Sequence, residues 1–210
     1  MPLTDRALDT RGKVLLSAAR VFDARGYVGA GMAEIVLGTG MTRGAVYFHF
    51  SGKAELARTL IERQHATWPG VMKSVETEGL QGLDAVHHLI ERLGQQLHGD
   101  VTARAAIKLA REAELIDEDV PSPFDAWCDY IGYRLRQAQL LGQMRTELDP
   151  VTYAGIIVGM FLGVEEFTRI ADRELTGGNA SVLDPTRYNL DAMWELILRG
   201  LSLPGSRGAP

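Results

Sequence analysis

Cysteine is almost absent from this 210-residue chain, which carries Cys128 alone. A single thiol excludes an intrachain disulfide and a zinc site built from several cysteines. No histidine or basic residue lies close to Cys128 in the sequence, so we expect a small buried thiol rather than a nucleophile. The adjacent histidines His87 and His88 point to different sides of a helix, which is poor geometry for a metal ion. We therefore expect no metal, no cofactor and no catalytic residue.

Long hydrophobic runs are also missing. The longest run, residues 154–164, is much shorter than the roughly 18 residues that span a bilayer. The amino-terminal segment carries Asp5 and Asp9 where a signal peptide has a basic start followed by apolar residues. These features predict a cytoplasmic protein without a membrane partner, whose apolar run lies in a core or interface helix.

Positive charge is in deficit over the whole chain, which has 22 Lys and Arg, 27 Asp and Glu, and a net charge of −5. This balance alone argues against a general nucleic-acid-binding protein. The distribution argues the other way, because residues 1–53 hold seven Lys and Arg against four Asp and Glu. The asymmetry indicates a small basic module joined to an acidic body.

Helical periodicity is present along the whole chain. Apolar residues recur at helical spacing over residues 7–24, and Arg25-Gly26 supplies a stop. A short helix over 32–37 and a Gly-Thr-Gly turn follow, and a third helix runs from Thr42, whose hydroxyl caps it, to His49. No strand-like alternation competes, so the predicted fold class is all-α. Beyond residue 51, Gly and Pro clusters divide the chain into further predicted helices: 52–68, 81–98, 102–117, 123–141, 150–172 and 185–201.

Two short helices joined by a tight turn after a longer helix are typical of a helix-turn-helix, whose second helix enters the DNA major groove. In the third helix, Arg43 and Tyr47 share a face, while Val46 lies nearly opposite Gly44. Val46 therefore faces the supporting helices, and Gly44 permits close approach of another molecule to the backbone.

The aromatic side chains of this third helix allow two interpretations. Phe48 and Phe50 are expected in a small aromatic core. The polar side chains Arg43, Tyr47 and His49 are expected to contact phosphates or base edges, with Lys53 adding a further phosphate contact. The alternative is that the charged side chains are merely solvated, but motif, position and local charge together favour DNA.

The stretch "EIVLGTGMTRGAVYFHFSGKAEL" and its surroundings, residues 26–53, resemble the DNA-binding domain of the TetR family of bacterial repressors. The motif "GAVYFHF", with a following Lys and a helix ending in "IERQ", is similar to the corresponding sequence in the γ-butyrolactone receptors of actinomycetes. The segments "PSPFDAW" and "MWELILRGL" resemble that branch more weakly. The resemblance implies a DNA-binding domain over 1–53, a helical ligand-binding and dimerisation domain over 54–203 and a flexible tail over 204–210.

The second helix departs from the family pattern. Where the family usually has Thr or Ser residues that cap this helix and touch a phosphate, this chain has Ala30-Gly31-Met32-Ala33. Gly31 is expected to act as a weaker N-cap, with a phosphate contact that is lost or made by the backbone. The DNA-binding residues that motif and resemblance together predict are Gly31, Thr42, Arg43, Gly44, Tyr47, His49 and Lys53.

The resemblance also implies a small-molecule signal of the γ-butyrolactone, butenolide or furan type that controls secondary metabolism, including antibiotic biosynthesis. Trp127 matches a pocket tryptophan of the branch, and Gln64 lies on the helix that links the two domains. Apolar stripes on the helices predicted over 123–141 and 150–172 supply most of the remaining wall, although such stripes are core more often than pocket. The predicted ligand-binding residues are Gln64, Trp68, Leu109, Phe124, Trp127, Ile131, Tyr153, Ile157, Val158, Phe161 and Leu162.

A single helix-turn-helix reads too few bases for specificity, so such modules act as symmetric pairs on palindromic operator DNA. Two surfaces are candidates for a homodimer interface, with an ordinary monomer core as the alternative. One is the pair Gly159 and Gly163, spaced to let another helix approach closely, and the other is an apolar face over 185–201. The predicted interface residues are Gly159, Gly163, Met193, Trp194, Ile197 and Leu201.

These predictions describe a ligand-responsive repressor, not an enzyme. A helical protein that binds or transforms a small molecule and keeps a vestigial DNA-binding domain is the main alternative. It would have no sequence-specific operator. A DNA-coating protein would bind without sequence preference and with a steep salt dependence, and the net negative charge disfavours it.

Overall fold

The computed structural model describes residues 3–116, 120, 122–176 and 189–202, with side chains for 9–116, 120, 122–170 and 189–202. Within these residues the chain is all-α, as predicted, and contains no strand. The predicted tail 204–210 and residues 185–188 lie outside the described residues. The helices are α1 (Leu3–Gly29), α2 (Met32–Thr39), α3 (Arg43–His49), α4 (Lys53–His65), α5 (Trp68–Thr77), α6 (Gly82–Gly99), α7 (Val101–Arg111), α8 (Pro123–Leu140), α9 (Pro150–Thr176) and α10 (Leu190–Leu201).

Two stretches differ from the sequence-based assignment. Helix α5 replaces the break predicted at Trp68-Pro69-Gly70. Proline is tolerated in the first turn of a helix, where its missing N–H has no intrahelical partner, so here it marks a start rather than an end. Helix α7 ends at Arg111 instead of 117, and a short 3₁₀ helix, Ala113–Leu115, follows it.

The described chain divides into two compact units. The first comprises Met1–Pro69 with Gln95–Pro123, and the second comprises Gly70–Gly94 with Phe124–Pro210. The first unit therefore includes α7 as well as α1–α4, and one hydrophobic core joins these helices. The predicted functional boundary at residue 53 concerns DNA binding rather than packing and stays a prediction.

The packing of α1 against α2 positions the helix-turn-helix. Ser17 Oγ donates to the Ile35 carbonyl at 2.8 Å. A Cβ on Gly38 would lie 2.4 Å from Ser17 Oγ, so glycine at this position permits the two helices to approach. At the end of α2, Gly40 has φ of +67°, and the Met41 N–H donates to Thr39 Oγ1 at 3.0 Å. These bonds fix the turn that leads into α3.

Helix α7 is joined to the end of α1 by three side chains that are spaced four residues apart. Arg104 Nε lies 3.2 Å from Asp23 Oδ2, and Lys108 Nζ donates to the Asp23 carbonyl at 3.1 Å. Glu112 accepts from the Tyr27 N–H at 2.5 Å, beside Gly26, whose φ of +68° interrupts α1. The predicted stop at Arg25-Gly26 is thus confirmed, and a helix distant in sequence holds the turn that follows it.

The second unit contains close helix crossings of its own. A Cβ on Gly132 of α8 would touch the Ala154 Cβ of α9 at 3.8 Å. A Cβ on Gly94 of α6 would lie 2.4 Å from Leu190 Cδ1, so the start of α10 approaches α6 closely.

Helix α9 is more apolar than its uninterrupted run suggests. By length and composition alone, residues Pro150–Ile170 of this helix would suffice to cross a membrane. Only 22% of the most apolar part of this stretch is buried within the chain. Val151, Ile156 and Phe167 are 61%, 46% and 47% exposed. The exposed apolar side chains of α9 make this helix a candidate interaction face.

Candidate nucleic-acid interface

The recognition-helix candidate α3 has one face in the core and one face in solvent. Thr42 caps its start by accepting from the Ala45 N–H at 3.3 Å, as predicted. Val46 and Phe50 are buried, at 0% and 1% exposure, and anchor the helix to the first unit, which confirms their predicted role. Arg43 and Tyr47 lie on the solvent side, with the Arg43 guanidinium 5.2 Å from the centre of the Tyr47 ring.

Gly44 is exposed in the middle of this solvent face. A Cβ at Gly44 would meet no atom within 4 Å, so no neighbour within the chain requires glycine here. Glycine inside a helix costs roughly 0.5–1 kcal/mol relative to alanine. No contact within the described chain therefore explains this glycine, and the close approach of another molecule to α3 stays a prediction.

Phe48 is the aromatic residue whose predicted environment is wrong. It was expected in the core with Phe50, but its side chain is 86% exposed and touches the neighbouring His49 ring edge-on, with ring centres 5.3 Å apart. The physical reason is helical geometry, since Val46 and Phe50 point inward and Phe48 lies between them on the opposite side. An exposed phenyl ring beside Gly44 and Tyr47 enlarges the solvent face of α3.

Arg11 of α1 holds the end of α3 and was not singled out from the sequence. Its guanidinium donates to the His49 carbonyl at 3.1 Å and lies 4.2 Å from the centre of the Phe50 ring. A cation at a helix carboxyl end also complements the helix dipole. Nearby, Glu55 accepts from the N–H and hydroxyl of Ser51, and the Ser51 backbone bond is the largest cause that lowers the Glu55 pKa.

Lys53 begins α4 with its ammonium group directed toward the turn after α1. Nζ donates to the carbonyls of Tyr27 and Ala30 at 2.8 and 3.2 Å and lies 4.3 Å from the centre of the Tyr27 ring. An ammonium group has three N–H donors, so a third remains available for the predicted phosphate contact. Gly31 is the N-cap of α2 and has no side-chain cap, as expected from the missing Thr or Ser.

The residues predicted to bind a ligand are divided between the two units. In the first unit, Gln64, Trp68 and Leu109 are buried, at 6%, 3% and 0% exposure, and Leu109 belongs to the core shared by α1, α4 and α7. The structure thus gives Leu109 a packing role. Gln64 is one of the few polar side chains buried among the described residues.

In the second unit an aromatic cluster surrounds Trp127. The Trp127 ring lies 5.8 Å from the rings of both Phe124 and Phe161, and both contacts are edge-on. Trp127 and Phe161 are 2% and 1% exposed. Tyr153 and Leu162 are half-buried, and the remaining predicted residues of this unit are buried: Ile131, Ile157 and Val158.

The predicted dimer residues fall into two groups. Gly159 is exposed and Gly163 half-buried on α9, and a Cβ at either would meet no atom within 4 Å, so this face is open. The prediction for α10 needs correction, because the four side chains assigned to the interface are only 1–7% exposed within their own unit. Trp194, for example, stacks on His87 with ring centres 4.8 Å apart. The four residues pack into the core of their own chain instead of forming an open face: Met193, Trp194, Ile197 and Leu201.

Comparison with known proteins agrees with the fold and with the helix-turn-helix. A family model described as bacterial regulatory proteins, tetR family, matches residues 14–60. The A-factor receptor protein of Streptomyces griseus is 30% identical over 204 residues, which cover 95% of this chain and 66% of that protein. The chain thus spans just under two thirds of that relative. The regulator SrpR of Pseudomonas putida is 32% identical over 165 residues, 75% of this chain and 74% of the relative.

Solved structures give the same result. The chain is similar to CprB from Streptomyces coelicolor in complex with its biological operator sequence, with 29% identity and a TM-score of 0.75 over 96% of this chain and 92% of that one. It is also similar to a γ-butyrolactone receptor, an ArpA-like protein, with 29% identity and a TM-score of 0.79 over 97% and 93% of the two chains.

Proposed function

Because the chain belongs to the TetR family of bacterial regulatory proteins, we propose that it is a ligand-responsive transcriptional repressor that binds palindromic operator DNA as a homodimer in the cytoplasm. The observation that carries this proposal is the solvent face of α3. That face presents Arg43, Gly44, Tyr47 and Phe48 on a helix that Val46 and Phe50 anchor from behind. A cation, a glycine and two aromatic rings on one exposed helix face match the chemistry of a major groove.

The face offers each kind of contact that a groove requires. The Arg43 guanidinium suits a guanine edge or a phosphate, and the hydroxyl of Tyr47 and the ring of His49 suit phosphate oxygens. Gly44 permits the helix backbone to approach the bases. Phosphate contacts fix the register, and the base contacts supply sequence preference.

The signal that releases the operator is proposed to be a small lactone, butenolide or furan-type molecule linked to secondary metabolism. Similarity to a γ-butyrolactone receptor supports the lactone class, and Trp127, Phe124 and Phe161 form an aromatic cluster suited to an apolar ligand.

Contacts inside the first unit support a route for release. Glu112, directly after α7, accepts from the Tyr27 N–H, and the Tyr27 carbonyl accepts from Lys53 at the start of α4. Movement of α7 therefore acts on the turn that also holds α4, directly after the recognition helix. A small rotation there changes the spacing of the two recognition helices in a dimer, and mismatched half-sites then weaken binding.

The test is a mobility-shift assay on DNA that flanks the gene for this chain, with and without an organic extract of the producing culture. We expect a sequence-specific shift that the extract reverses. The double variant Arg43→Ala with Tyr47→Ala should lose the shift while remaining folded. If no flanking sequence is preferred over competitor DNA, or if the double variant binds normally, the vestigial-domain alternative is favoured.

A further inference from the structure

Among the residues that the structure describes, Arg134 on α8 is the one charged residue that is buried, with 5% exposure. Taking a guanidinium group out of water costs several kcal/mol unless an opposite charge and hydrogen bonds compensate it. The contacts of Arg134 within the second unit therefore determine whether its charge is satisfied by the chain itself.

Those contacts compensate the charge only in part. The guanidinium donates to the Tyr130 hydroxyl at 2.9 Å and to Gln137 Oε1 at 3.0 Å, and both acceptors are neutral. The nearest carboxylate oxygen, on Glu76 of α5, is 3.6 Å away on a side chain that is 58% exposed. A carboxylate so well solvated contributes little. The rings of Tyr130 and Tyr133 lie 4.9 and 5.6 Å from the guanidinium carbon and add weak cation–π attraction.

Two donors at this place lack an acceptor in the described part of the chain. Arg134 Nε is fully buried and makes no hydrogen bond there. The Tyr130 oxygen accepts from Arg134, and its own proton meets no acceptor in the same residues. Burial raises the pKa of Tyr130, so this hydroxyl stays protonated at neutral pH. A guanidinium edge with a neighbouring hydroxyl is the donor arrangement that a carboxylate fits.

A stripe of buried side chains continues along the same side of α8. Trp127, Tyr130 and Arg134 are separated by three and four residues, which puts them on one stripe of the helix. Trp127 is 2% exposed and contacts Phe124 and Phe161. Seven residues of helix separate Trp127 from Arg134, a rise of roughly 10 Å. The stripe is thus aromatic at one end and cationic at the other.

We propose that Arg134 and Tyr130 bind the carboxylate of an amphipathic ligand whose apolar body lies along α8 toward Trp127. The inference rests on the proposed function, because it assigns the ligand a chemical class, namely an anionic carboxylate with an apolar body about 10 Å long. A neutral lactone would leave the guanidinium with only the solvated Glu76 carboxylate at 3.6 Å as a counter-charge, whereas a bound carboxylate supplies a second charge and the missing acceptors.

The direct test compares two probes of equal chain length on the full-length protein, octanoate and octanamide, by isothermal titration calorimetry. Both have the same apolar tail, and only octanoate carries a charge. We expect octanoate to bind about tenfold tighter or better, which corresponds to 1.4 kcal/mol. Equal affinities, a preference for octanamide, or no binding of either probe would overturn the proposal.

Variants locate the effect. Arg134→Met removes the charge at similar length, and it should lower octanoate affinity to that of octanamide. Tyr130→Phe should weaken octanoate several-fold and leave octanamide unchanged. Glu76→Gln is the matched control, because it removes a competing carboxylate and should leave the octanoate preference equal or larger. Persistence of the full preference in Arg134→Met contradicts the assignment.

Thermal unfolding separates a ligand site from a structural ion pair. If Arg134 serves only to hold α5 through Glu76, then Arg134→Met and Glu76→Gln should both lower the Tm and leave probe binding alone. We expect the Tm of unliganded Arg134→Met not to fall, since replacing a poorly compensated buried charge by an apolar side chain is often neutral or stabilising. Octanoate should raise the Tm of the wild type only. Operator binding, measured on the same samples, tests the proposed function separately.

Discussion

At the scale of single residues, Gly44 shows how a stability cost can indicate function. The residue is exposed, and a Cβ there would meet nothing within 4 Å. We predict that Gly44→Ala raises the free energy of unfolding by roughly 0.5–1 kcal/mol, because alanine favours the helix. The same methyl group should weaken operator binding, since it stands between α3 and the groove. Chemical denaturation and mobility shifts measure the two effects.

Gly70 on α5 provides the matched control for this substitution. It is also an exposed helical glycine with open space around its Cβ position. Gly70→Ala should stabilise the chain to a similar degree and leave operator affinity unchanged. A Gly44→Ala variant that binds the operator as well as the wild type would remove the argument for close approach at this residue.

Phe48 leads to a second prediction at the same scale. The Phe48 ring is 86% exposed, and in the proposed complex, where α3 enters the major groove, it can contact the methyl group of thymine. We predict that replacing thymine by deoxyuridine at one position of each half-site weakens wild-type binding. Phe48→Ala should bind both operators equally, at the weaker level. Equal losses in the wild type and in Phe48→Ala at every thymine would show that the ring reads no methyl group.

At the scale of helices, the sequence is sufficient to predict a helix and its buried face where one face is apolar and the other is polar. The periodicity placed α1, α2 and α3 correctly, and it identified Val46 as an anchor. Phe50 was assigned to the core as an aromatic residue, and its burial confirms that assignment. It failed at α5, where Pro69 looked like a break, and at Phe48, which was assigned by residue type instead of by position. Whether an aromatic residue is exposed depends on which face of its helix packs against the rest of the chain.

Tertiary pairings could not be predicted, because periodicity describes each helix by itself. Glu112 bonds to Tyr27, which lies 85 residues earlier, and no local pattern relates them. Arg11 holding the His49 carbonyl is a similar case. The i, i+3, i+4 and i+7 spacing of Tyr130, Tyr133, Arg134 and Gln137 was visible in the sequence, but the burial of Arg134 was not. The burial of the Arg134 charge thus depends on tertiary packing, which the sequence pattern does not describe.

Glu165 of α9 makes the stability of the folded chain depend on pH. Burial raises its pKa to about 7, and Leu190 of α10 and Gly94 of α6 lie beside it. The folded chain therefore binds more protons than the unfolded chain between pH 4.5 and about 7. This contribution to stability is complete below that range and is lost as the pH rises through it, by at most about 3 kcal/mol.

The corresponding variant is Glu165→Gln, which cannot ionise. Denaturation at pH 5 and at pH 8, at one fixed chain concentration, should show a smaller loss of stability in the variant than in the wild type. The variant should also be the more stable chain at pH 8. Identical pH slopes would mean that Glu165 titrates in the folded chain as it does in the unfolded one.

Helix α8 carries the prediction for ligand response. Trp127 is buried between Phe124 and Phe161 and belongs to the second unit, whereas the helix-turn-helix belongs to the first. Trp127→Ala should therefore abolish release of the operator by the culture extract while leaving operator binding intact. Trp127→Phe, which keeps an aromatic ring, should retain partial release. Normal release by Trp127→Ala would refute the assignment of the tryptophan to the ligand site.

At the scale of the whole molecule, the open face of α9 is the surface that we propose for the association of two chains. Gly155 and Gly159 are exposed, Gly163 is half-buried, and their Cβ positions are open, while Ile156 and Phe167 are half exposed beside them. Residues four apart lie on one stripe of a helix, and small residues there permit close packing of a second helix. On α10 only Leu196, at 62% exposure, adds a large apolar side chain in the residues described.

We predict that Gly159→Glu converts the proposed homodimer into a folded monomer. The carboxylate would enter the apolar contact between two copies of α9, whereas in the free chain it would meet only solvent. Light scattering should show the mass of one chain, circular dichroism should keep its helical signal, and operator affinity should drop because a monomer reads one half-site. Gly70→Glu adds the same charge at an open glycine of α5 and should remain dimeric. A dimeric Gly159→Glu would exclude this face as the interface, whatever its apolar character.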